Sequence, residues 1–195
     1  LNLIKGVPEG RRDYLDSVAM MQTPVHYKKL SRYNKALKNK NNILSGINFG
    51  DDLSKIIPQT ESWNTVLAAE GLNVTYGRLK YFSQLEDLAS QLYKELSGGE
   101  NLSLKYYSSI FDTTELKCEE INGLYNEYLD RLNGSFQREL KMRYTVLGVH
   151  RDDMNLYING NEVKEFGSQG QQRSTALALK LAEAEIIRRK EETPI

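Results

Sequence analysis

The sequence predicts a mostly helical α+β chain with a small antiparallel sheet near its C-terminal end. Three observations carry this. Apolar residues recur at three- and four-residue spacing over long stretches of the first 142 residues, the period of helices with one buried face. The period gives way to alternation in "LSLKYYS" (102–108) and in "MNLYING" (154–160), where Asn-Gly marks a tight hairpin. A helical period then returns from about Gln171 to Lys190, opening within "GSQGQQRS" (167–174).

Each element follows in order. "VPEGRRDYLDSVAMMQ" (7–22) sets Pro8 near a helix start, with Tyr14, Leu15, Val18 and Met21 at helical spacing. Pro24 opens "PVHYKKLSRYNKALKNKNNIL" (24–44), where Leu30, Tyr33, Leu37 and Leu44 share one face and Lys28, Arg32 and Lys35 the opposite one. Residues 46–58, rich in Gly, Asp and Asn, read as a loop ended by Pro58. A second helical stretch spans about Ser62 to Leu96, weakened in its middle by Gly71 and Gly77, which permit a break or kink there, and "SGGEN" (97–101) stops it. Glu115 to Met142 reads as a third long helix, apolar at Ile121, Leu124, Tyr128, Leu132 and Phe136. "RYTVLGVH" (143–150) reads as a strand, and "NEVKEF" (161–166) as the second hairpin strand leading into residue 167.

Composition excludes several functions. The 26 basic and 26 acidic side chains cancel, but residues 1–50 hold nine Lys and Arg against three Asp and Glu. One cysteine, Cys118, excludes an internal disulfide and a cysteine-based zinc cluster. Cys118 itself reads as a small helix filler. Two histidines, His26 and His150, are too few for a histidine-rich metal site, so no metal ligands are assigned. No apolar run approaches the ~20 residues of a membrane span, and no signal peptide opens the chain. A reducing cytoplasm is the expected compartment. The chain begins without methionine and stops at "EETPI" behind a long helix, which reads as a piece of a longer protein.

The chemistry concentrates at residues 167–174. A tight turn of small residues before a helix N-terminus makes an anion site, because free backbone N–H groups and the positive end of the helix dipole converge there. Gly167 and Gly170 would let the backbone approach a ligand, and Ser168 can either cap the helix or donate its hydroxyl to a phosphate oxygen. Arg173 in the first helical turn faces either phosphate or solvent. "HRDD" (150–153) combines an imidazole, a guanidinium and two carboxylates. His150, Arg151 and Asp152 are therefore secondary candidates without an assigned role, a structural Arg–Asp pair being the alternative. His26 reads as solvated or capping. Lys28, Arg32 and Lys35 are either the wet face of a core helix or a stripe that tracks nucleic-acid phosphates.

The string "FGSQGQQRSTALALKLAE" (166–183) resembles the signature segment of the RecF family of ABC-type recombination and repair ATPases. "LIKGVPEGRRDYLD", "YKKLSRYNKALKNKNNIL" and "LGVHRDDM" resemble the same family and occur in the same order, while residues 46–140 resemble it diffusely. One departure is Val149, where the family usually has proline in Gly-Pro-His-Arg. The resemblance implies a single signature-bearing lobe over 1–195, with a helical arm at about 9–142 and a hairpin plus signature helix at about 143–190. No Walker A loop or Walker B acids occur, so it implies no catalytic residue in this chain and no ATP hydrolysis by it alone.

In such a family, ATP and Mg2+ sit between two subunits of an ATP-dependent homodimer. Ser168, Gln169, Gly170, Gln171 and Arg173 would meet the γ-phosphate held by the partner. DNA (duplexes, gaps and junctions), RecR and RecO are the implied partners, with DNA repair, recombination, replication and the SOS response as the setting, and a weak DNA-dependent ATPase as the whole. The other reading is a helical DNA- or protein-interaction module with no nucleotide role, in which 167–183 only cap a helix.

Overall fold

The computed structural model describes residues 2–111, 121 and 123–191. Cys118, most of the stretch 112–122 and the last four residues lie outside them. In chain order the elements are α1 (Asn2–Lys5), α2 (Pro8–Gln22), α3 (Val25–Gly46), α4 (Leu53–Ser97), β1 (Leu102–Tyr107), α5 (Tyr125–Gly134), α6 (Phe136–Met142), β2 (Asp153–Ile158), β3 (Asn161–Glu162), α7 (Val163–Phe166) and α8 (Gln169–Glu191). The chain is α+β and predominantly helical, with one three-stranded antiparallel sheet in the order β1-β2-β3.

Two compact units divide it. Unit 1 takes Leu1–Pro24, Gly77–Tyr107 and Asp152–Ile195, and unit 2 takes Val25–Tyr76 and Ser108–Arg151. In unit 1 the pairs Leu102↔Ile158, Leu104↔Leu156 and Tyr106↔Met154 put six side chains on one sheet face, and all six are buried. Val18 and Ala19 of α2, Leu85 and Tyr93 of α4, and Ala178, Leu179 and Ala182 of α8 complete that core. Its edge strand β1 is covered, since the Glu86 carboxylate accepts from the Leu104 amide and the Ser90 hydroxyl donates to the Leu102 carbonyl. Such cover answers the backbone groups that an open edge leaves unpaired.

Unit 2 is helical. Tyr33, Ala36 and Leu44 of α3, Leu67 and Ala68 of α4, and Tyr128 and Leu132 of α5 are buried. Phe111 meets the Tyr128 ring edge-on, with centroids 5.8 Å apart. The Tyr128 hydroxyl lies against Gly71 so closely that a Cβ there would collide with it. Gly71 is therefore a packing glycine, and α4 runs unbroken through Gly71 and Gly77.

Several local expectations are corrected. The loop expected up to Pro58 ends earlier, because Asp52 accepts bonds from the Ser54 amide and hydroxyl and starts α4 ahead of the proline. The third helix breaks at Ser135, whose hydroxyl takes the Leu132 carbonyl and turns the chain between α5 and α6. "RYTVLGVH" forms no strand. Arg143 and Gly148 adopt positive φ of 66° and 129°, and Val149–Arg151 forms a 3₁₀ turn. The hairpin turn is present, with Asn159 and Gly160 at φ 49° and 85°, the backbone that Asn-Gly favours. Its second strand, however, stops at Glu162 and α7 follows.

Candidate functional site

Residues 163–175 build the anion site upward from one peptide. The Val163 carbonyl accepts from the Gly167 amide and from Gln172 Nε2. A Cβ on Gly167 would stand 2.5 Å from that same oxygen, so the fold itself requires glycine at 167. Gly170 differs. A Cβ there would meet nothing nearer than Ser168 Oγ at 3.8 Å, although glycine inside a helix costs about 1 kcal/mol against alanine.

Ser168 caps α8. Its Oγ accepts from the Gln171 amide at 3.2 Å, while Gln171 Oε1 accepts from the Ser168 amide at 2.9 Å. This is the reciprocal capping box, with glutamine at the third helical position. The Gln172 amide bonds the Ser168 carbonyl. Of the four amides that a helix start leaves over, those of Gln169 and Gly170 find no partner among the described residues, and both residues are exposed. Arg173 is exposed on the first turn.

A support that the sequence reading missed lies behind the box. Gln171 Nε2 donates to Glu100 Oε1 at 2.8 Å, and the Tyr93 hydroxyl donates to Glu100 Oε2 at 2.9 Å. Burial and the Glu100 carboxylate raise the Tyr93 phenol above its ordinary range, so it stays a donor. "SGGEN" was legible only as a helix stop. Its glutamate is the bracket that orients Gln171.

The "HRDD" segment divides between the two units. In unit 2 the Tyr33 hydroxyl lies 2.8 Å from His150 Nδ1, and His150 Nε2 lies 3.1 Å from the Thr145 carbonyl. A carbonyl only accepts, so Nε2 carries the hydrogen toward Thr145, while Nδ1 shares a hydrogen bond with the Tyr33 hydroxyl. Both ring nitrogens are thereby used in fixing the turn. Arg151 is exposed, its guanidinium 4.8 Å from the Tyr144 ring centroid.

In unit 1 Asp152 is 1% exposed, accepts from the Tyr106 hydroxyl at 2.5 Å and lies 3.8 Å from Arg78 Nη1. Arg78 also binds Asp16 through two bonds of 2.8 Å. Burial and the adjoining Asp152 carboxylate push the Tyr106 phenol well up. Asp153 holds Arg11 bidentately at 2.7 Å. These carboxylates hold α2, α4 and the sheet together inside unit 1.

On α3, Lys28, Arg32 and Lys35 are exposed. Arg32 and Lys29 lie 3.5 and 3.7 Å from Glu70. His26 is buried at 4% exposure, which corrects its reading as a solvated residue. Among the described residues no group of three or more His, Cys, Asp or Glu could hold a metal ion, and no helix is long and apolar enough to cross a membrane.

No protein-family model matches the chain. Curated relatives do. The chain is similar to the DNA replication and repair protein RecF of Microcystis aeruginosa, 34% identical over 96% of this chain and 50% of the relative. It is 36% identical to RecF of Bacillus subtilis, again over 96% of this chain and 50% of the relative. A solved structure described as the recombination mediator protein RecF-ATP in the RecFOR pathway has a TM-score of 0.85 at 33% identity, covering all of this chain and 50% of that one. Another, described as RecF-ATPrS in the same pathway, has a TM-score of 0.86 at 32% identity, covering 96% of this chain and 49% of that one. The chain therefore spans about half the length of the curated relatives it matches.

Proposed function

The chain belongs to the RecF family, and on that premise we propose that it serves as the signature-bearing half of a RecF-type DNA repair ATPase. In this reading it works within a longer polypeptide whose other half holds ATP and Mg2+. The start of α8 receives the γ-phosphate of ATP bound by a partner subunit. One observation carries the reading: Gly170 opens the helix start toward the outside although nothing inside the fold needs a glycine there.

The residues present fit such an anion. The amides of Gln169 and Gly170, without a partner among the described residues, belong to exposed residues next to Ser168 at the positive end of a 23-residue helix. Ser168 keeps its oxygen on the Gln171 amide until the phosphate arrives and then donates its O–H to a phosphate oxygen. Gln171, braced by Glu100, keeps the helix start in shape meanwhile. Arg173 adds charge at the rim. Phe166, 72% exposed just before the turn, offers an apolar contact to the arriving subunit. The bound nucleotide supplies the anion that bridges two subunits, and its loss releases them, a switch set by differential affinity for the γ-phosphate.

DNA is the proposed substrate surface, in keeping with the replication and repair role named for the relatives. The exposed row Lys28, Arg32 and Lys35 would follow phosphates without reading sequence. RecR and RecO are proposed partners because the solved relatives belong to the RecFOR pathway.

The test is Ser168→Arg in the full-length polypeptide, with ATP affinity, ATP-dependent dimer mass and melting temperature measured together. Normal ATP binding without a dimer supports the reading. A lowered melting temperature with normal dimerisation leaves Ser168 a cap alone and defeats it, since a lost cap costs about 0.5–2 kcal/mol of stability and nothing in assembly.

A further inference from the structure

We infer that unit 2 carries a second anion site, a groove that seats the phosphate backbone of nucleic acid. This deepens the DNA-contact part of the proposed function and rests on it. The groove has a volume of about 360 Å³ and is lined by Arg138, Lys141 and Met142 of α6 with Tyr144, Val146 and Arg151. Arg138 and Lys141 stand three residues apart, on one face of the helix. The chain turns at Arg143 and returns through the 3₁₀ turn to bring Arg151 to the same place.

Several other cations of the unit meet carboxylates. Lys40 pairs with Glu139, Arg131 with Glu127, Lys55 with Asp52, and Lys29 and Arg32 with Glu70. Arg138, Lys141 and Arg151 have no carboxylate within ion-pair distance among the described residues. Three like charges around one concavity repel one another, and a bound polyanion relieves that repulsion. The segment that presents Arg151 is also held firmly. Thr145 bonds Asn41 through its amide and hydroxyl at 2.7 and 2.8 Å, and His150 bridges Tyr33 and Thr145. Gly148 takes φ 129° against the Tyr33 hydroxyl, where a Cβ has no room. His150 is thus a positioning residue that aims Arg151 outward.

The lining favours phosphodiester over an acidic peptide. The Tyr144 ring centroid lies 4.8 Å from the Arg151 guanidinium carbon and steadies the cation, whose fork suits two parallel bonds to phosphate. Met142, 51% exposed, and Val146 give the apolar wall that a sugar and base require.

The experiment uses the full-length polypeptide with Arg138, Lys141 and Arg151 all changed to Gln. A fluorescein-labelled DNA duplex and its single strand are titrated across about 50 to 200 mM salt. The expected result is about a tenfold or greater loss of affinity at unchanged melting temperature. The plot of log affinity against log salt should become shallower by about two to three, near one unit per lost phosphate contact. Duplex and single strand report which nucleic acid the groove prefers, and Arg151→Lys should recover part of the loss by restoring charge without the planar fork. Unchanged affinity and slope for both probes, with the Lys28, Arg32 and Lys35 variant impaired, overturns the groove and leaves the DNA reading standing. Binding of poly-glutamate lost in place of DNA assigns the groove to a protein partner and overturns it too. A wild-type protein that binds neither probe overturns the groove together with the DNA reading.

Discussion

Two glycines three residues apart should respond oppositely to the same methyl group. Gly167→Ala puts a Cβ 2.5 Å from the Val163 carbonyl and 3.0 Å from Val163 Cγ1. That oxygen is held in place by the Gly167 amide and Gln172 Nε2, so the clash must be relieved by moving backbone. Overpacking of this kind costs about 1–3 kcal/mol. For a chain of this size it lowers the melting temperature by about 2–4 °C per kcal/mol. Gly170→Ala meets only Ser168 Oγ at 3.8 Å, and removing a helical glycine contributes up to about 1 kcal/mol of stability.

Function should separate from stability at Gly170. The new methyl stands beside the Ser168 hydroxyl, where a phosphate oxygen bonded to that hydroxyl would sit. Loss of one charge-assisted hydrogen bond, worth about 1.5–3 kcal/mol, weakens nucleotide-bridged dimerisation about 10- to 100-fold. The assay pairs differential scanning calorimetry with ATP-dependent dimer mass in the full-length polypeptide. A Gly170→Ala protein that melts no lower than wild type and dimerises with wild-type affinity refutes the reasoning.

Two further outcomes follow from the same geometry. Replacing Lys28, Arg32 and Lys35 by Ala should weaken DNA binding without unfolding the protein, and should flatten its salt dependence by up to about one unit per lost phosphate contact; unchanged titrations would make the stripe a solvated face only. Lys40 and Glu139, both fully buried with Nζ 2.8 and 2.7 Å from the two carboxylate oxygens, form a pair in which burial drives the lysine down and Glu139 opposes that. Lys40→Met or Glu139→Gln alone should cost about 3–5 kcal/mol in urea unfolding, whereas Lys40→Met with Glu139→Leu should come near wild type or above it; equal losses in single and double variants would contradict the pairing.

What the sequence could reveal divides along the range of the interactions. Helices α2, α3 and α8, strand β1 and the Asn159-Gly160 turn were legible because period and turn chemistry act within a few residues. The strand expected at 143–150 failed for a tertiary reason. Tyr33, more than a hundred positions away, takes the His150 ring and holds the segment in a 3₁₀ turn. Lys40 reads as one more cation of a basic helix, and nothing nearby in sequence announces Glu139 beneath it. Asp52 as the cap of α4 was a local signal that Pro58 obscured. At the candidate site the small-residue string and its capping serine were visible. The different duties of Gly167 and Gly170, and the bracket from Glu100, required the folded backbone.

The central claim is that Ser168 and Gly170 act on nucleotide held by another subunit, and mixing two defective proteins tests it most directly. One full-length polypeptide carries Ser168→Arg and an intact phosphate loop; the other carries a disabled phosphate loop and an intact start of α8. Each alone should fail to form the ATP-dependent dimer. Mixed, they can assemble one composite site from the sound half of each, so ATP-dependent association and hydrolysis should return. A mixture as inactive as its two components would place the serine's action within its own subunit, or nowhere in the nucleotide site, and would contradict the account.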